Sequence, residues 1–265
     1  MNKSTKLIRK ILSDFYMVLI LIFLYAPIVT MMVLSFNQSK SRNQWGGFTL
    51  QWYAQMFDSR AIMSALSTTL LIAFASALIA TIIGTAAAIS IHAMKPIPRT
   101  VIMGITNIPM LNADIVTGIS LMLAFVAFGI SLGFKTVLIS HITFNIPYVI
   151  LSVMPKLKQT DKSTYEAALD LGASPIYAFI KVIFPDIMPG VLSGFLLAFT
   201  MSLDDFIITH FTKGAGINTL STLIYSEVRR GIRPSMYALS TIIFLTVLIL
   251  LLIVNFRSFK KADKN

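Results

Sequence analysis

The sequence predicts an all-α membrane protein with six transmembrane helices, and composition, the length of its uncharged runs and the placement of its basic residues predict it together. Of 265 residues, 56% are hydrophobic and 12% charged, a balance unsuited to a water-soluble globule of this length. Runs free of Asp, Glu, Lys and Arg lie at Phe15–Ser39, Ala61–Met94, Thr100–Ala113 continuing past one acid to Phe134, Thr136–Pro155, Ile187–Leu203 and Pro234–Phe256. A hydrocarbon core of about 30 Å takes about 20 helical residues, so these runs read as six spans.

An even number of spans puts both termini on one side. The N-terminus (Lys3, Lys6, Arg9, Lys10), the turn at Lys95 and Arg99, the segment with Lys156, Lys158, Lys162 and Lys181, and the tail (Arg257, Lys260, Lys261, Lys264) hold 14 basic residues. The opposite connections hold eight: Lys40, Arg42, Arg60, Lys135, Lys213, Arg229, Arg230 and Arg233. Basic residues concentrate on the cytoplasmic side, so both termini are expected there. The formal charge of +11 therefore reads as an orientation signal that also meets anionic lipid, and not as nucleic-acid binding.

The first span is too long for a signal-peptide core and has no small-residue cleavage site after it, so it is expected to stay. The loop NQSKSRNQWGGFTLQWYAQMFDSR follows, with Leu50, Tyr53, Ala54 and Phe57 spaced for a short amphipathic helix. Trp52 and Tyr53 are expected at headgroup level. The second span is rich in Ala, Ser and Thr and carries Gly84, small residues that let helices approach closely inside a bundle. In the third, NIPMLNADIVTG combines Pro109 with the polar Asn112 and Asp114. Irregular backbone at that depth needs cover from protein or a watery cavity, so a break beside a pathway is expected there. Pro147 is expected to kink the fourth span.

Between the fourth and fifth spans lies YEAALDLGASPIYAFIKVIFP. Ser163 and Glu166 have capping-box spacing, Gly172 suits a helix end, and Ser174-Pro175 reads as a second helix start running to Pro185. Small residues at Ala167, Ala168 and Gly172 suit a groove on another protein; an amphipathic loop packed on its own bundle has the same periodicity.

Cysteine is absent, which removes disulfides and thiolate chemistry. His92, His141 and His210 lack metal-ligand spacing and read as ordinary polar helix residues. No nucleophile–base constellation is present, so no catalytic or metal-binding residue is expected. Asp114, Asp204 and Asp205 lie in or at the edges of spans, where an ionised side chain costs about 2.5–3.5 kcal/mol on insertion scales. No Lys or Arg lies nearby in sequence. Acids of this kind suit a cationic substrate, or serve as structural hydrogen-bonding groups. Asp204 and Asp205, about 100° apart on a helix, cannot both aim at one atom; one is expected to face the pathway, with Asp205 favoured, and the other to cap. Trp45 could hold an ammonium by cation–π attraction or pack at the interface.

The 163–185 segment resembles the EAA loop of ABC-importer permeases, through Glu166-Ala167-Ala168, Gly172 and Phe184-Pro185, where Phe replaces the common Leu. NQWGGFTLQWY, MLNADIVTGISL, FKTVLISHITFNIPYVI and SLDDFIITHF resemble the second permease subunit of spermidine/putrescine importers. The resemblance implies a type I importer (MetI-like) permease fold forming one transmembrane domain over 1–265, with its core at 61–256 and its coupling loop at 156–185. It implies that Tyr165, Glu166, Ala167, Ala168, Asp170, Gly172 and Pro185 belong to a cytoplasmic coupling helix that docks on an ATP-binding subunit. It also implies as partners a homologous permease, two ATP-binding subunits and an extracytoplasmic polyamine-binding protein, in a bacterial inner membrane. No G-x-x-x-x-G-K-[ST] phosphate loop occurs, so the chain is expected to bind no cofactor and to leave ATP and Mg to the partner ATPase. Import of ferric ion or an anion on the same fold, and a proton-coupled cation carrier, are the alternatives.

Overall fold

Long uncharged runs satisfy their backbone polar groups internally only as helix when no water is at hand, and helix is what they form. The computed structural model describes the backbone of residues 3–262 and the side chains of 12–161, 163–246, 248 and 249. In order the helices are α1 (Lys3–Ser35), α2 (Gln51–Asp58), α3 (Arg60–Ala93), α4 (Pro96–Leu111), α5 (Asp114–Ala127), α6 (Phe134–Gln159), α7 (Lys162–Asp170), α8 (Pro175–Ala178), a π-helical turn (Phe179–Ile183), α9 (Phe184–Asp204), α10 (Ile207–Thr212), α11 (Leu220–Arg230) and α12 (Pro234–Ala262).

Among the described residues, four stretches are long and apolar enough to cross a membrane: Leu12–Ser35, α3, α6, and the continuous Pro175–Asp204. A fifth results if α4 and α5, which meet at 101°, count as one broken span. The expected sixth, 234–256, is described as an apolar helix over Pro234–Thr246; most of its remaining side chains lie outside the described residues.

The chain divides into two units, residues 1–63 with 226–265, and residues 64–225. In the first, α1 and α2 each pack against α12. Asn37, at the end of α1, is a buried hub. Its Oδ1 accepts from the Ser39 and Gly46 N–H groups, and its Nδ2 donates to the Ser41 and Gln44 carbonyls. Its own carbonyl accepts from the Trp52 indole at 2.7 Å. Trp52 is therefore not an interfacial anchor: it is 4% exposed. The Tyr53 hydroxyl shares a 2.7 Å hydrogen bond with Ser35. α2 turns Trp52 and Met56 inward and leaves Leu50 and Phe57 outward, because the open Asn37 carbonyl takes the one strong donor that a large apolar ring can bring.

In the second unit α6 is the centre, and small residues let its neighbours close on it. Gly190, Gly194, Ala198 and Ser202 recur every fourth residue on α9 and are all buried. A Cβ on Gly194 would stand 3.3 Å from the Val149 Cα, and one on Gly84 of α3 would stand 2.8 Å from the Val149 Cβ. Ala77, Ala80, Val149, Val153, Ile187 and Ala198 are fully enclosed. Small-residue stripes of this kind replace the hydrophobic effect as the packing device inside lipid.

Candidate functional site

Two interruptions of the second unit's helices hold three acids: Asp114 and Asp205 at helix starts and Asp204 as the last residue of α9. The first lies at Asn112 and Ala113, where extended backbone separates α4 from α5. Pro109 removes a hydrogen bond just before it, as the sequence indicated. Asp114 then opens α5 and is exposed. The second break follows α9: the backbone leaves the helix at Asp205 (φ −58°, ψ 123°) and α10 begins at Ile207.

These half-helices lie side by side. A Cβ on Gly118 of α5 would meet the Phe211 ring at 3.3 Å and the Ile208 Cα at 3.4 Å. Gly214, just past α10, sits against the Leu132 carbonyl, two residues before α6. Gly118 is about one turn from Asp114, and Ile208 about one turn from Asp204 and Asp205. Carboxylates at helix N-termini, here Asp114 and Asp205, are favoured by the helix dipole.

The adjacent aspartates differ. Asp205 Oδ1 accepts from Ile208 N–H at 3.2 Å; Oδ2 accepts from Thr209 N–H and Oγ1, both at 2.8 Å. His141 Nε2 lies 3.4 Å from the same Oδ2. Ser221 donates to the Asp205 carbonyl at 2.9 Å. Asp205, one residue before the Phe206 N-cap position, thus caps the start of α10 with its side chain. Asp204 is exposed, and its carboxylate makes no hydrogen bond or ion pair with another described residue. Because the helix ends between them, the 100° helical separation does not apply. Next to them Phe206, His210 and Tyr225 cluster, with ring centroids 4.4 to 6.2 Å apart.

Sequence reasoning missed this aromatic cluster and the role of His141. It is not a bystander on its span but fully buried against Asp205 and Thr209. Spacing could not reveal either, since each contact joins separate helices. Trp45 belongs to the other unit and is 58% exposed on the loop that Asn37 braces. No group of three or more His, Cys, Asp or Glu residues placed to hold a metal occurs among the described residues.

The segment 161–185 is built from caps. Asp161, not Ser163, is the N-cap of α7: its carboxylate accepts from the Ser163 N–H at 2.9 Å. That bond holds its carboxyl below the usual carboxylate range. Aspartate two residues upstream competes for the cap because it adds charge to the same geometry. The helix closes as expected: Gly172 takes φ +86°, its N–H reaches the Leu169 carbonyl, and Ala173 N–H reaches Ala168. This is the Schellman arrangement. Ser174 caps the next helix by accepting from Tyr177 N–H at 3.3 Å, with Pro175 following.

The expected stop at Pro185 is absent. The helix widens into the π turn at 179–183, where Phe184 N–H bonds five residues back to Phe179, and continues as α9. A π turn offers a proline the room that an α turn denies its ring. Tyr165 is half-buried; Glu166, Ala167, Asp170, Gly172 and Pro185 are exposed, with Ala168 between. Leu171, Ile176 and Tyr177 are exposed, Leu171 by 89%. Tyr165 and Glu166 also line an open cavity of about 580 Å³ with His92, Arg99, Phe179 and Ile183.

Broken spans with polar residues at the breaks, in a chain that also carries a capped helix with apolar side chains exposed at its end, fit a membrane transport component. The chain belongs to the family of binding-protein-dependent transport system inner membrane components, whose model matches residues 80–261. It is 37% identical over 246 residues to the spermidine/putrescine transport system permease protein PotC of Escherichia coli (strain K12), with 93% of each chain covered. It is 39% identical over 228 residues to the putrescine transport system permease protein PotI of the same strain, covering 83% of this chain and 81% of that one. A bacterial ABC transporter that imports the acidic polysaccharide alginate has a similar fold, with TM-score 0.69 and 14% identity, covering 96% of this chain and 98% of that one. The MetNI methionine ABC transporter, in an inward-facing form, does so with TM-score 0.59 and 19% identity over 75% of this chain and 96% of that one.

Proposed function

We propose that this chain is a permease subunit of an ATP-driven importer that carries polyamines, spermidine or putrescine, into the cytoplasm by alternating access. The observation that carries this is a pair of exposed carboxylates, Asp114 at the start of α5 and Asp204 at the end of α9, neither in a salt bridge with another described residue, in a chain 37% identical to a spermidine/putrescine permease. A polyamine brings the ammonium groups that would offset such charges. Asp205 serves the same site by capping α10, and Trp45, in the other unit, is exposed and carries an indole face of the kind that holds an ammonium.

In this reading the chain forms one permease domain of six spans with both termini in the cytoplasm. α7 is the coupling helix: Glu166 to Gly172, with Leu171 and Tyr177 beside them, dock on an ATP-binding subunit. Closure of that subunit around nucleotide rocks the attached spans. A second permease, two ATP-binding subunits and an extracytoplasmic polyamine-binding protein complete the assembly, and ATP and Mg stay on the ATPase.

The test is uptake of labelled spermidine in cells lacking and then regaining this gene, with ATP intact or depleted and with putrescine, phosphate or ferric competitor. Restored, ATP-dependent uptake competed only by putrescine is the expected result. Competition by phosphate or ferric ion would transfer the fold to another cargo. Glu166→Lys is expected to abolish uptake at normal membrane abundance, and retained uptake would remove α7 from the coupling role.

A further inference from the structure

We propose that His141 is a positioning residue for transport, which together with Asn145 clamps the chain on both sides of Asp204 and so fixes where that carboxylate is presented. The proposal rests on the reading of Asp204 as a pathway acid.

His141 and Asn145 lie one turn apart on α6 and both are 0% exposed. Asn145 Nδ2 donates to Ser202 Oγ at 2.8 Å, two residues before Asp204, and Ser202 shares a further 3.0 Å hydrogen bond with Ser76 of α3. His141 Nε2 lies 2.9 Å from Thr209 Oγ1 and 3.4 Å from Asp205 Oδ2, on the other side of Asp204. The direction of these bonds follows from counting hydrogens. Thr209 Oγ1 has one, and Asp205 Oδ2 at 2.8 Å can only accept while ionised. The hydroxyl hydrogen therefore goes to Asp205, and His141 Nε2 must carry a hydrogen toward Thr209 and Asp205. The other ring nitrogen, Nδ1, has no partner among the described residues, so Nε2 makes the ring's polar contacts into the break. Phe144 holds the imidazole edge-on at 5.3 Å. The break has no helix of its own at residues 205 and 206, so side chains from α6 supply the rigidity that backbone hydrogen bonds supply elsewhere.

The experiment uses the assembled transporter with His141→Leu, His141→Gln, Asp205→Asn and the double variant His141→Leu with Asp205→Asn. His141→Leu is expected to raise the KM for spermidine about tenfold, with maximal rate changed less than about threefold, because a hydrogen bond to a charged group is lost. His141→Gln, which keeps an N–H at similar reach, is expected to recover most of the loss. In the Asp205→Asn background His141→Leu is expected to add less than about twofold, since the two act as one unit. An unchanged KM with less folded protein, or additive effects, would overturn the proposal. A second readout does not depend on cargo: the chain has no cysteine, so Asp204→Cys reports its own accessibility to a cationic thiosulfonate. His141→Leu is expected to change that labelling rate at least about threefold and His141→Gln to restore it; an unchanged rate overturns the clamp. If the parent chain carries no spermidine but the labelling rate responds, the polyamine reading fails and the clamp stands.

Discussion

A carboxylate inside a membrane protein must be solvated by something, and the aspartates that end α9 are solvated differently. Asp205 has backbone N–H groups, a hydroxyl and an imidazole around it; Asp204 has open space. Asp205→Ala is therefore expected to lower the unfolding free energy by about 2–3 kcal/mol, through loss of a cap and of charge-assisted bonds, seen as an earlier thermal transition in detergent. Asp204→Asn is expected to leave that transition within about 0.5 kcal/mol, as surface substitutions do, while uptake collapses. Equal shifts in the two variants would erase the distinction. The three acids were legible in the sequence because charge is rare in apolar runs. Which aspartate caps was not legible, because the answer depends on His141 and Ser221, brought in by other helices. Trp52 misled for a related reason: at an interface an aromatic is indifferent to depth until a buried carbonyl such as that of Asn37 claims it.

Local signals determine the elements where competition is local. Gly172 and Ser174-Pro175 ended and restarted helices as read, since a left-handed residue and a cap each act within about one turn. Asp161 displaced Ser163, and Pro185 failed to stop α9, because a stronger cap and a π turn were within reach. Two glycines separate the local from the tertiary requirement. A Cβ on Gly172 meets nothing within 4 Å, yet its φ is +86°; Gly172→Ala is expected to cost about 1 kcal/mol from backbone strain alone. Gly84 is mid-helix, and a Cβ there stands 2.8 Å from the Val149 Cβ and Cγ1. Gly84→Ala is expected to cost about 1–3 kcal/mol by overpacking α3 on α6. Val149→Ala should relieve the Gly84 variant and not the Gly172 one, and thermal unfolding of the four chains decides it.

Across the second unit, charge is segregated by end. Lys95, Arg99, Lys156, Lys158, Lys162 and Lys181 lie where α3 ends, α4 begins, α6 ends and α7 to the π turn follow, whereas Lys135 and Lys213 lie at the other end, where Gly214 meets Leu132. The positive-inside bias predicts that α7 lies in the cytoplasm, the side that holds ATP, and that the turn 128–133 lies outside. The missing cysteine makes this directly measurable. Asp170→Cys and Ser131→Cys both put a thiol at an exposed position. In intact spheroplasts a membrane-impermeant maleimide is expected to label Cys at 131 and to reach Cys at 170 only after permeabilisation. The reverse pattern would put the Glu166 helix on the side without nucleotide. No ATPase could then dock there, and α7 would have to be reread as a helix packed on its own bundle.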